Sequence, residues 1–180
     1  DNLQLPRMVH AAFVRSPYAH ARIKALDISD AQAQPGVIAI YTGADLAEYV
    51  EPYVGVLSHL KGLRSPPQYP LAVDVARWQG EPVAMVIAKS RAIAEDAAEM
   101  VMVDFDVLPA VCDAVEALAP DAPLIHPSLG SNLAWERVVD VGDADSALAA
   151  DDVTVVERTF RFGRHTGVTL ESRSVVGDWD

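Results

Sequence analysis

The 180-residue chain contains a single cysteine, Cys112. An internal disulfide is therefore excluded. So is an iron–sulfur cluster held by this chain's own thiolates, because such clusters take several cysteines. Scarce cysteine fits a reducing compartment, and the cytoplasm is expected. Long apolar runs are missing too. None approaches the ~20 residues that cross a bilayer, so no membrane span is expected. Asp1 to His10 lack the basic start and apolar stretch of a secretory signal, and there is no initiator Met. The chain reads as trimmed, or as a segment of a longer one. Basic residues are few: 14 against 26 acidic, a formal net charge of −12. Such a surface repels a phosphate backbone, so nucleic acid is not an expected partner. The acidic excess favours solubility.

Recognisable chemical motifs are missing as well. His10, His20, His59, His126 and His165 form no metal-ligand spacing with one another or with Cys112. No glycine-rich phosphate loop occurs, and no Gly-x-Ser-x-Gly elbow. Cys112 follows a valine and has no histidine beside it in sequence, so it reads as a small buried apolar residue. No catalytic, cofactor-binding or metal-binding residue is expected in the segment.

What is present is core. Half of the chain, 51%, is apolar, enough for one domain or a domain and part of another. Met8 to Val14 reads as a strand stopped at Arg15-Ser16-Pro17, since proline lacks a ladder donor. Ala21 to Ile28 reads as a second strand. Ser29 is placed to cap a short helix over Asp30 to Gln34, ended by Pro35-Gly36. Val37 to Thr42 is a β-branched, buried strand. A turn at Thr42-Gly43 and a helix over Ala44 to Glu48 follow. Glu51 to Pro70 is rich in proline and glycine, a loop long enough to suggest a functional or partner-contacting role. A plain surface excursion is the alternative.

Order returns with Val73 to Trp78 and a turn at Gln79 to Pro82. Val83 to Ala88 is a fully apolar strand. Ser90 caps a helix over Arg91 to Met100, where Ile93, Ala97 and Met100 recur at helical spacing. Val101 to Val107 alternates, with Val101, Val103, Phe105 and Val107 on one face. This strand–helix–strand unit predicts a crossover and a partly parallel sheet. Asp113 to Leu118 reads as one or two helical turns. The prolines of Ala119 to Gly130 predict a linker or domain boundary. Strands are then expected over Trp135 to Val141, Val153 to Phe162 and Ser174 to Asp180. A short helix over Asp143 to Ala150 is capped by Asp143. A strand pattern that stops at Asp180 again suggests a longer chain.

Three constellations carry the polar chemistry. In Arg15 to Ile23, Arg15 and Arg22 could hold an anion or pair with the protein's own carboxylates, the second being favoured. Ser16 can bond a nearby N–H. In Trp78 to Ala84, Gly80 is placed for a positive φ and Pro82 for a strand start, as in a hairpin. In Arg164 to Arg173, His165 and Glu171 could do acid–base work if they met. An ion-paired structural segment is the favoured alternative.

Taken in order, these blocks resemble the N-terminal region of the large subunits of xanthine dehydrogenase, aldehyde oxidase and carbon monoxide dehydrogenase. Phe13 to Ile23, Asp27 and Pro35-Gly36-Val37 resemble the family's opening. Thr42-Gly43-Ala44-Asp45-Leu46 and Trp78 to Val86 resemble the next two blocks. Ala94 to Glu99 with Val103 to Val111 resembles the helix and strand after them. Asn132, Gly142-Asp143 and Leu170-Glu171 match the start of the molybdenum-binding domain. The family's Gly-x-Gly-x-Tyr stretch before Leu3 is missing, and Ser172 stands where many members have proline.

The resemblance implies an α+β fold. Residues 1–127 would be an α/β hammerhead domain with a mixed sheet and short helices. Residues 128–180 would be the first strands of a molybdopterin-binding domain. It implies molybdenum–molybdopterin in the full-length subunit, not bound by this segment alone, with FAD and 2Fe–2S on partner subunits or domains. The segment would be scaffold, with Glu51 to Pro70 as a candidate wall of the substrate funnel. Two alternatives are a non-catalytic interaction module with a hammerhead fold, and a small hydrolase using His165 and Glu171.

Overall fold

A computed structural model describes residues 3–163, 167, 169–171 and 173–178. The chain divides into two compact units, Asp1–Arg137 and Val138–Asp180.

The first unit is built on two three-stranded sheets. One has the order β1 (His10–Arg15), β5 (Pro82–Ala88), β3 (Val37–Thr42). The other has the order β4 (Val75–Ala76), β2 (Ala21–Asp27), β6 (Met102–Val107). Every ladder is antiparallel. Helix α3 (Arg91–Glu99) packs on the first sheet and brings Ala97 against Val86 and Ile40. A second cluster gathers Ala72, Ala76 and Val83. Val14 and Val103 pack against both clusters, so one apolar core runs between the sheets. Val83 and Val86 are fully buried, each contributing about 1.5–3 kcal/mol by leaving water.

Local chemistry explains the helix starts. Ser90 accepts a hydrogen bond from the Ile93 N–H and caps α3, as expected. Helix α2 (Gly43–Ala47) begins with a capping box: Thr42 Oγ1 accepts from the Asp45 N–H, and the Asp45 carboxylate accepts from the Thr42 N–H at 2.7 Å. The bond from the Thr42 N–H, with a second from the Thr42 hydroxyl at 2.7 Å, holds the Asp45 carboxyl below its ordinary pKa. Gly43 is required by space, since a Cβ there would lie 2.1 Å from the Ala72 carbonyl oxygen.

The α+β class holds, but several expectations are corrected. The sheet is not mixed or partly parallel. Strands β5 and β6 flank α3 yet lie in different sheets. The reason is in β6: it buries Val103 and Phe105 in part and exposes Asp104 and Asp106. A parallel crossover strand is normally covered on both faces, and this one can be covered on only one. Helix α1 (Ser29–Gln32) begins at Ser29 instead of being capped by it. Ile28 stands at the N-cap position without a side-chain cap, and the Asp27 carboxylate before it accepts from the Ser29 N–H and hydroxyl at 3.0 and 2.6 Å. Val73 to Trp78 contributes only the two residues of β4. Cys112 is exposed instead of buried. Asp113 to Leu118 yields the single turn that was one of the two expectations, a 3-10 turn over Glu116–Leu118 started by the Asp113 carboxylate.

In the second unit, α4 (Ala144–Leu148) forms where expected, with Asp143 accepting from the Ser146 N–H at 3.0 Å. The strands expected over Val153 to Phe162 and Ser174 to Asp180 are not formed among the described residues, nor is the one over Trp135 to Val141. A strand is stable only when a neighbour takes its N–H and C=O groups, and these segments have no ladder partner among the described residues.

Candidate functional site

The first two constellations come together where the chain passes from one sheet to the other. The Ser16 N–H donates to the Glu81 carbonyl at 2.9 Å, and the Gly80 N–H donates to the Ser16 carbonyl at 2.8 Å. Arg15 Nη1 donates to the Gly80 carbonyl at 2.9 Å. Its guanidinium carbon lies 5.5 Å from the centroid of the Phe13 ring. Arg15 thus answers a backbone carbonyl and an aromatic face, not the carboxylate that was expected. Ser16 Oγ accepts from the Tyr18 N–H at 3.1 Å, as expected of a turn serine. Gly80 has φ +91°, and Pro82 opens β5. The turn between them is not a hairpin, because β4 and β5 pair with different strands.

Below this clasp lies a cavity of about 160 Å³, lined in part by Tyr69, Asp74, Arg77, Trp78, Glu81 and His126. Glu81 is only 6% exposed. Its carboxylate accepts the Arg77 N–H. Burial pushes the Glu81 carboxyl above its ordinary pKa, and the bonds from Arg77 and Trp78 with the Arg77 charge only partly offset that. Arg77 reaches outward: Nε donates to the Ile125 carbonyl and Nη1 to the Val75 carbonyl, both at 3.2 Å. This fastens the segment bearing His126 to β4. Burial holds the His126 imidazole below its ordinary pKa, and the charges of Arg77 and His20 add to the effect. His20, 8% exposed, sits with Nδ1 2.7 Å from the Pro109 carbonyl, which makes Nδ1 the protonated nitrogen.

Chemically the cluster is a fastening. The Glu81 carboxylate is engaged by backbone N–H groups, and Arg77 is spent on carbonyls. Among the described residues, no three His, Cys, Asp or Glu side chains are placed to hold a metal ion. In the sequence Glu81 lies unremarked inside the turn at Gln79 to Pro82 and His126 is one of five histidines, with nothing to join them. Arg77 and Ile125 are 48 positions apart, and no spacing rule links them. His165, with Arg164, Thr166, Val168 and Ser172, lies outside the described residues, so a meeting of His165 with Glu171 has no described geometry. Within the third constellation the Thr169 hydroxyl donates to the Glu171 carbonyl at 2.7 Å.

The loop over residues 51–70 is tied at its root. Tyr53 and Gln68 exchange two backbone hydrogen bonds of 2.8 Å. The Arg64 side chain donates to the Leu129 carbonyl at 3.0 Å and also to that of Leu133. Trp135 Nε1 donates to the Lys61 carbonyl at 3.2 Å. Asn132 closes the adjoining segment, accepting from the Ile125 N–H and donating to the Pro123 and Ala117 carbonyls. The Tyr53 side chain at the root and Val56 beyond it stand exposed.

Residues 1–109 match the model of the aldehyde oxidase and xanthine dehydrogenase a/b hammerhead domain. The carbon monoxide dehydrogenase large chain of Afipia carboxidovorans is 43% identical over 126 residues, covering 70% of this chain and 15% of that one. The nicotine 6-hydroxylase large subunit of Paenarthrobacter nicotinovorans is 32% identical over 100% of this chain and 22% of its own length. Among solved structures, quinoline 2-oxidoreductase from Pseudomonas putida 86 superposes with a TM-score of 0.69 at 44% identity, covering 74% of this chain and 17% of that one. This chain therefore spans less than a quarter of the length of these relatives. It belongs to the aldehyde oxidase and xanthine dehydrogenase family and carries that family's a/b hammerhead domain.

Proposed function

We propose that this chain is the scaffold part of the molybdenum-cofactor subunit of a molybdenum hydroxylase. The observation that carries the reading is the match of residues 1–109 to the hammerhead model, with 43% identity to a carbon monoxide dehydrogenase large chain. Residues 128–180 would then open the molybdopterin-binding domain. The intact enzyme would hydroxylate a C–H beside nitrogen or oxygen, or oxidise an aldehyde or carbon monoxide, with water supplying the oxygen.

The described residues do not fit the molybdenum–pterin group. No metal-ligand cluster is present among them, and the buried carboxylate, Glu81, is already engaged. We therefore assign no catalytic, cofactor-binding or metal-binding residue to the segment. The rest of the subunit would hold it, and FAD and 2Fe–2S would sit on partner subunits or domains. The segment's part is to fasten two sheets into a rigid frame and to offer the loop over residues 51–70 as a wall of the substrate funnel. No helix among the described residues is long and apolar enough to cross a membrane. A cytoplasmic site fits the single cysteine.

Metal analysis of the intact subunit tests the reading. Stoichiometric molybdenum and dye-linked dehydrogenase activity are expected. A native product free of molybdenum, or one of this chain's own mass, overturns it. The second outcome would favour an interaction module with the same fold.

A further inference from the structure

The two sheets treat their outer faces differently. In β4–β2–β6 the exposed positions include Arg22, Lys24, Asp104 and Asp106, and Arg22 stands opposite Asp106. That face suits water. In β1–β5–β3, the row Ala12–Val86–Ile40 points inward, with Val86 and Ile40 in the core cluster. Alternation sends the neighbouring rows outward. Those rows are Phe13–Met85–Tyr41 and Ala11–Ile87–Ala39. All six side chains are apolar or aromatic. None joins either core cluster, and Phe13 and Tyr41 stay 44% and 37% exposed. An antiparallel sheet with one face in water normally turns polar residues to that face. Apart from Arg15 at the end of β1, which is exposed and sets its guanidinium carbon 5.5 Å from the Phe13 ring centroid, this sheet is apolar on both faces, the pattern of a layer covered on two sides.

We propose that the outer face of β1–β5–β3 is a docking face, covered by another part of the same large-subunit polypeptide. The inference rests on the reading under Proposed function. Two observations choose the occupant. First, the relatives carry the matched segment as 15% or 22% of one continuous chain, so most of the polypeptide is available in cis. Second, the patch is small. Three strands ~4.8 Å apart and two rows ~7 Å apart give on the order of 100–200 Å². A standard interface between separate proteins takes ~800 Å² from each partner. Neither a partner subunit nor a second copy is held by so little. A tethered segment needs far less, because the tether supplies a high effective concentration.

Hydroxyl-radical footprinting of the large subunit tests this, reading oxidation at Phe13, Tyr41 and Met85. The subunit is purified without its partner subunits and compared with itself unfolded in urea. All three residues should be oxidised at least tenfold more slowly in the native subunit, at every dilution and with no further change when partner subunits are added. Oxidation close to the unfolded rate overturns the proposal. So does protection that fades on dilution, which marks a second copy, and protection that appears only with the partner subunits. Molybdenum content of the same preparation reports separately on the functional reading. A molybdenum-free subunit with a covered face sinks that reading alone, and a molybdenum-loaded subunit with an open face sinks this inference alone.

Discussion

Strand β6 and the segment Val153 to Phe162 have the same kind of sequence: apolar residues alternating with polar ones. Only β6 is a strand. It lies against β2, exchanges hydrogen bonds along six register pairs, and turns Val103 and Phe105 toward the core. In the other segment, Val155, Val156, Phe160 and Phe162 are exposed and no ladder forms among the described residues. The difference teaches that alternation states only which face could be buried. Whether it is buried depends on a neighbour that takes the backbone bonds and a layer that covers the side chains.

The sharpest way to break that comparison is to place a charge in each region. Val86→Asp buries a carboxylate in the core beside Ala97 and Ile40. The cost should exceed about 4 kcal/mol, close to the whole stability of a small domain, and leave the chain unfolded. Val155→Asp touches an exposed position and should cost less than ~0.5 kcal/mol. Urea titration followed by circular dichroism reads both. Comparable losses would mean that the second unit has a core of its own.

A smaller contrast uses glycine. A Cβ at Gly43 meets the backbone of Ala72 and Val73, which cannot rotate away as a side chain could. Gly43→Ala should cost about 3 kcal/mol by forcing α2 and the following segment apart. A Cβ at Gly177 meets nothing within 4 Å, so Gly177→Ala should leave the urea midpoint unchanged. An unaffected Gly43→Ala would show that the contact between α2 and residues 72–73 relaxes freely.

Much of the first unit was legible because its signals are local. Val37 to Thr42 is a strand with the expected bounds, and Ser90 caps its helix. Gly80 takes the positive φ foreseen for it. These depend on one or a few neighbouring residues. What was not legible depends on distant ones. The partner of β6 follows from competition between two sheets. The fastening of His126 to β4 crosses 48 positions through Arg77 and Ile125. At Ser29 the expected cap lies inside the helix, because the Asp27 carboxylate engages both the Ser29 amide and its hydroxyl and the helix starts one residue earlier than expected. In the second unit only the cap at Asp143 was readable, since a cap needs no partner strand.

Caps give the next contrast. Thr42→Ala removes the box that starts α2 on the packed unit, and should lower stability by about 1 kcal/mol. Asp143→Ala removes the equivalent acceptor from α4, a helix with no buried residue. It should leave the main unfolding midpoint in place and reduce only the helical signal. A shared shift of the midpoint would tie α4 to the cooperative core.

The smallest effect is one of pH. In the fold, burial and the charges of Arg77 and His20 hold the His126 pKa below its ordinary 6.5. The unfolded chain therefore binds a proton first as the pH falls. This group's contribution is fully present above pH 6.5 and is lost as pH drops from there through the lowered folded value. Glu81, in the same groove, has the opposite sign. Its folded pKa is raised, so its contribution is present below the ordinary 4.5 and lost as pH rises through the folded value. The two effects oppose each other, and replacing His126 isolates the contribution of the imidazole. His126→Gln keeps a polar side chain without the titration. The fall in Tm between pH 7.5 and about 5.5 should be smaller in that variant than in the parent chain. An equal fall in both would show that the His126 imidazole titrates alike in the folded and the unfolded chain and that its burial adds nothing to the pH dependence.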